Sequence, residues 1–81
     1  MVFMGKHKLQ EGMTQADAEE GWAKYKAAAQ KKGLKPLHAN LSVEKGFAYC
    51  ETEAPSAQAV RDAHSEAEIP LEDVIEVVTL E

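Results

Sequence analysis

The chain is poor in the residues that usually reveal chemistry. It has one cysteine, three prolines and five aromatic residues among 81. A single cysteine, Cys50, excludes an internal disulfide and any zinc site built from cysteine pairs. It carries no sign of an oxidising compartment. Basic residues number 9 against 14 acidic ones, for a net charge of −5. That balance excludes the basic stripe that nucleic acid requires. No apolar stretch approaches the roughly 20 residues of a membrane span, and Met1–Met4 is too short for the apolar core of a signal peptide. A cytoplasmic protein with no membrane partner is expected. Phosphate-binding loops, dinucleotide fingerprints and Ser/His/Asp arrangements are absent, as are repeats and low-complexity tracts.

Large apolar side chains are also scarce. Of 36 hydrophobic residues, 13 are alanine. A domain of this size buries only about 60% of the surface its unfolded chain exposes. One domain spanning 1–81 is expected, with a thin core completed by a second copy in a homodimer.

What is present is a clear alternation of patterns. Val2–Leu9 alternates with Phe3, Gly5, His7 and Leu9 on one parity, which reads as a strand. Thr14 followed by Asp17 resembles a capping box. Gln15–Lys32 is rich in helix formers, with Ala18, Trp22, Tyr25 and Ala29 on one face. Gly33 stands where a helix-ending glycine belongs, behind Lys31 and Lys32. Gly21 inside this helix implies a close helix–sheet approach. Leu34–Val43 alternates again, with Leu37, Ala39, Leu41 and Val43 on one side and His38, Asn40 and Ser42 on the other. Glu44-Lys45-Gly46 is turn chemistry, and Phe47–Glu53 returns as the second arm of a hairpin. Ser56 caps a helix over Ala57–Ala67 with Val60, Ala63 and Ala67 as its stripe, and Ile69-Pro70 ends it. Leu71–Leu80 carries the β-branched residues of a last strand.

The order β-α-β-β-α-β is that of a ferredoxin-like α+β sandwich. Right-handed crossovers give a four-stranded antiparallel sheet in the order 4-1-3-2, with both helices on one face. Two such sheets packed face to face would form a dimeric α+β barrel.

Candidate chemistry rests on His38, Cys50, His7, His64 and nearby carboxylates. A two-residue turn at Lys45-Gly46 sets His38 opposite Glu53 and Asn40 opposite Glu51. A three-residue turn sets His38 opposite Thr52, with Cys50 one diagonal step away. Opposed Cβ atoms in a sheet lie about 4.5–5.5 Å apart. A histidine beside a carboxylate serves as a metal pair, as a base with its orienter, or as a plain hydrogen bond. His64, near a helix C-terminus, reads as a capping residue. His7 reads as lining the open sheet face, remote from His38 within one subunit. Trp22 and Tyr25 read as core. Cys50 alone reads as a small buried hydrophobe or a metal ligand.

Several segments together resemble a known family. They are Pro36-Leu37-His38-Ala39-Asn40-Leu41-Ser42, Cys50-Glu51-Thr52-Glu53-Ala54-Pro55-Ser56 and Ala59-Val60-Arg61. Gly12-Met13-Thr14 and the ending Ile69-Pro70, Asp73, Ile75, Glu76, Val77 add to them. Over about residues 2 to 78 the chain is similar to the nickel-binding-protein-like family of small ferredoxin-like domains of unknown function. It departs from that pattern at Glu68, where a helix-ending glycine is usual. It also departs at Pro36, which replaces an aromatic residue, and in its first strand. The resemblance implies a dimer and a site for nickel or another divalent transition metal. The family's motif histidine and cysteine map onto His38 and Cys50, and its acidic motif residue onto Glu53.

Three functional readings follow. One is a non-catalytic metal-binding dimer with His38, Cys50 and Glu53 as ligands. Another is an enzymatic or small-molecule-binding barrel with His38 as acid/base, assisted by Tyr49 or Glu53. The third is an interaction module with no site.

Overall fold

The computed structural model describes residues 1–81. The elements follow in the order β1 (Val2–Lys8), α1 (Gln15–Lys31), β2 (Lys35–Ser42), β3 (Phe47–Glu53), α2 (Ala57–Glu66) and β4 (Asp73–Val77). The sheet order is β2-β3-β1-β4, and every neighbouring pair is antiparallel. This is the expected ferredoxin-like α+β fold.

Local chemistry sets the boundaries. Thr14 caps α1 through a full capping box, its hydroxyl accepting from the Asp17 amide while the Asp17 carboxylate accepts from the Thr14 amide. Ser56 caps α2 by accepting from the Ala59 amide. Strand β4 is shorter than Leu71–Leu80. Val77 pairs with Val2, so β1 has run out of residues to pair with anything further on. Val78 and Leu80 therefore stand 82% and 90% exposed.

The hairpin between β2 and β3 takes neither expected register. A four-residue connection, Val43–Gly46, replaces the shorter turns. The Gly46 amide donates to the Ser42 carbonyl at 2.8 Å, and the Ser42 hydroxyl accepts from the Lys45 amide. Gly46 takes a φ of 76°, which a side chain would resist. Pairing then runs Ser42↔Phe47, Asn40↔Tyr49 and His38↔Glu51, with a bulge between Pro36 and His38. Glu53 comes to face Lys35, and Thr52 faces Pro36.

The core lies between the sheet and the helices. Phe3, Cys50 and Val74 from the strands and Ala54 just past β3 meet Tyr25 and Ala29 from α1 and Val60 and Ala63 from α2. Trp22 packs against this cluster but is only half-buried. Gly21 is approached by Ile69 from the segment after α2, whose Cδ1 would lie 3.5 Å from an added Cβ. The expected helix–sheet approach is not what Gly21 meets: its close neighbour is a loop side chain. The opposite sheet face carries Met4, Tyr49, Ile75 and Val77, and Ile75 is 49% exposed.

One backbone position is strained. Glu68, just past α2, has a φ of 60°. The Glu68 amide donates to Ser65 and the Ile69 amide to His64, closing the helix end. This geometry favours glycine, because a Cβ in the left-handed region costs roughly 1 kcal/mol. Glu68→Gly is expected to raise the unfolding free energy by about 0.5–1 kcal/mol, measured by urea denaturation. An unchanged or lower midpoint would mean that the Glu68 side chain contributes more than its strain removes.

Candidate metal centre

Three side chains from three elements converge beneath α1 and α2. Cys50 lies on β3, His64 on α2 and His7 on β1. The alternation that buries Phe3 continues through Gly5 to His7 and puts all three on the helix-covered face. His64 is not a surface cap. It is 1% exposed, stacked on the Tyr25 ring at a centroid distance of 3.9 Å. The His7 ring lies 5.0 Å from it. His7 thus belongs to the covered side and not to the open sheet face.

The hydrogen bonds define the tautomers. His7 Nδ1 lies 2.9 Å from the Pro70 carbonyl oxygen, and His64 Nδ1 lies 2.8 Å from the Val60 carbonyl oxygen. A carbonyl only accepts, so each Nδ1 carries its ring's proton and each Nε2 is left with a lone pair. Both lone pairs face the same sulfur. Cys50 Sγ is 3.3 Å from His7 Nε2 and 3.5 Å from His64 Nε2. One thiol has one proton, so it can satisfy only one of the two acceptors. The three ligand atoms all lie within 4.8 Å of one another.

Burial keeps the trio neutral. It lowers the His64 pKa to about 4, with the His64–Val60 hydrogen bond opposing and the His7 charge adding to the effect. It lowers that of His7 as well, against the Pro70 hydrogen bond. It pushes the Cys50 thiol up to about 11, so the sulfur is a thiol and not a reactive thiolate. Gly5 makes the cluster possible. A Cβ there would lie 2.8 Å from Cys50 Sγ, 3.0 Å from Leu71 Cδ2 and 3.5 Å from His64 Cε1.

The residues singled out from sequence are divided between the two faces. Cys50 points toward the helices. His38 is exposed and pairs with Glu51 across the strands on the open face. Glu53 is exposed beside Lys35. Neither the Glu53 nor the Thr52 pairing of His38 forms, because the longer turn shifts the register. Thr52 instead turns inward, where its hydroxyl meets the Tyr25 hydroxyl at 2.5 Å. The signals for the other two histidines lay in periodicity. His7 shares the parity of Phe3, and His64 follows Val60 by four residues on the apolar stripe of α2.

The donor chemistry suits a borderline-soft divalent ion. Two neutral imidazoles and a sulfur are acceptable to nickel, copper and zinc. The backbone carbonyls that hold each Nδ1 play the orienting part that such ligands commonly need. The trio also lies against a cleft of about 590 Å³ between α1 and the sheet.

The low pKa of His64 has a consequence for stability. Unfolded, a histidine titrates near 6.5. Between pH 6.5 and 4 the unfolded chain therefore binds more protons, and stability falls as pH drops through this window. His64 is expected to contribute a loss of about 3 kcal/mol across it, and His7 shifts in the same direction. Urea midpoints of metal-free protein between pH 7 and 4 measure this loss. His64→Gln should show a distinctly shallower decline, and parallel declines would disprove the assignment.

The comparisons agree with this architecture. The SCO4226 crystal structure from Streptomyces coelicolor A3(2) superposes with a TM-score of 0.89 at 25% identity, covering 100% of both chains. No curated protein matches the chain. The model of the nickel responsive protein SCO4226-like family matches residues 3–77, and the chain belongs to that family.

Proposed function

We propose that the protein binds a transition-metal ion, nickel foremost, through His7, Cys50 and His64, and that it sequesters or senses that ion. The observation that carries this reading is the shortage of protons: two fixed imidazole lone pairs face one thiol. A cation that displaces the thiol proton would satisfy all three donors at once. Membership of a nickel responsive family supports nickel over other ions of similar preference. When bound, the metal would tie β1, β3 and α2 together, three elements far apart in the chain.

The resemblance-based set of His38, Cys50 and Glu53 is read here as two locations. Cys50 serves the buried trio. His38, with Glu51 and Glu53 on the open face, offers a weaker imidazole–carboxylate arrangement. Calorimetric titration with Ni(II) separates the two. Cys50→Ser should remove the thiolate charge-transfer band and weaken binding, whereas His38→Ala should leave the tight phase intact. Metal must displace the proton of a thiol held near pKa 11, so apparent affinity should rise about tenfold per pH unit between pH 7 and 9. A flat profile, or loss of the tight phase in His38→Ala alone, would overturn the buried site.

The open sheet face supports a homodimer. Met4, Ile75 and Val77 form an apolar patch on β1 and β4, with Tyr49 diagonal to it on β3 and Glu51 and Lys6 at its side, and no helix covers it. A second copy is the occupant favoured for that patch, because an apolar face on a thin domain is commonly an interface. Sedimentation at micromolar concentration should show a dimer, and Ile75→Glu should convert it to a folded monomer. A monomeric wild type would rule the assembly out.

A further inference from the structure

The cleft beside the cluster has room that a metal ion does not use. At about 590 Å³ it falls in the range of small-molecule sites. His7, Cys50 and His64 all border it. Other sides of the cluster are closed. Toward β1 and Leu71, a Cβ on Gly5 would meet Cys50 Sγ at 2.8 Å and Leu71 Cδ2 at 3.0 Å. Toward α1, the His64 ring is stacked on Tyr25. The cleft is therefore the side from which anything else must approach a bound ion.

The protein offers such an ion three side-chain donors. No fourth histidine, cysteine or carboxylate joins the group. A divalent ion of this class takes four or more ligands. Two neutral imidazoles and one thiolate also leave one of its positive charges unbalanced, and an unbalanced charge in a dry interior is costly. The missing ligand should thus bring one negative charge. A free anion must pass a mouth where Asp17, Glu19, Glu20 and Glu68 outnumber Lys8 and Lys24, which disfavours it. A zwitterion carries no net charge through that mouth. Beyond it, the strand wall suits an apolar body. Leu9, Ala39, Leu41 and Ala48 line this wall, and Leu41 is still 36% exposed.

We infer that the metal-loaded cluster completes its coordination from the cleft with a free α-amino acid bearing an apolar side chain. The inference rests on the metal reading above. The amino acid chelates through its amine and carboxylate, and its ammonium proton passes to solvent. Its side chain lies along the strand wall. The chelate carries one negative charge and leaves the site neutral.

Protein loaded with one equivalent of Ni(II) is titrated with L-leucine, with glycine, which lacks the apolar side chain, and with N-acetyl-L-leucine, which lacks the amine donor. Calorimetry and the thiolate charge-transfer band report binding. Leucine should shift the band saturably, and nickel should stay with the protein on gel filtration in leucine. Glycine should bind roughly tenfold or more weaker, and N-acetyl-L-leucine should leave the band unchanged. Leu41→Ser removes part of the apolar wall at an exposed position. It should reduce the preference for leucine over glycine while glycine binding and circular dichroism are unchanged. No band shift, equal affinity for leucine and glycine, an unchanged preference in Leu41→Ser, or nickel lost to the amino acid would each overturn the inference. A protein that takes up no nickel fails the metal reading and this one with it, whereas a nickel complex indifferent to leucine fails this one alone.

Discussion

The His7–Cys50–His64 cluster turns on one proton. Two imidazoles are held with their Nδ1–H groups on backbone carbonyls, so neither can rotate its lone pair away from Cys50. The thiol between them donates once. In a dry environment an acceptor without a donor loses more than a made hydrogen bond returns. A core of alanines and small strand residues gives no stability reason to keep such a cluster. A leucine or valine at these positions would pack without any polar accounting. The arrangement fits a site kept short of one electrophile, which a metal ion would supply.

The fold supplies the geometry through ordinary means. The ferredoxin-like topology sets β1 and β3 side by side at the centre of the sheet, so His7 and Cys50 sit on adjacent strands two residues apart in register. Gly5, directly across from Cys50, clears the volume that the sulfur and the His64 ring occupy. The capped second helix then lowers His64 onto the Tyr25 ring, and Tyr25 is fixed in turn by the Thr52 hydroxyl. Each support comes from a different element. The site therefore reports on the integrity of the whole sandwich.

Much of the fold was legible because its signals are local. The Thr14–Asp17 box, the Ser56 cap and the strand alternations each specify one element by short-range chemistry. The site was less legible because it rests on tertiary convergence. Hairpin register turned on a Ser42 hydroxyl that stabilises a four-residue connection, and one or two extra turn residues moved the partner of His38 from Thr52 or Glu53 to Glu51. His64 was read through its place near a helix end, yet its spacing from Val60 put it on the buried stripe. His7 carries the parity of Phe3, which the structure places on the helix-covered face and not on the open one. In both cases apolar periodicity, read against the buried residues it continues from, is the better guide. Cys50 was the one expected ligand whose covered environment agrees with its composition-based reading as a buried, unreactive thiol.

The two sheet faces divide the labour that a thin domain must perform. The covered face holds the core and the His–Cys–His cluster, which borders a cleft between α1 and the sheet. The open face holds an apolar strip with the His38–Glu51 pair at its side. Closing the open face with a second copy would add the buried area that 13 alanines do not provide, and it would leave the cleft accessible from the helix side. Stability and ligand access would then be set by opposite surfaces of one sheet. A chain of this length can in that way keep a polar, proton-deficient cluster in its interior without relying on the surrounding core for all of its stability.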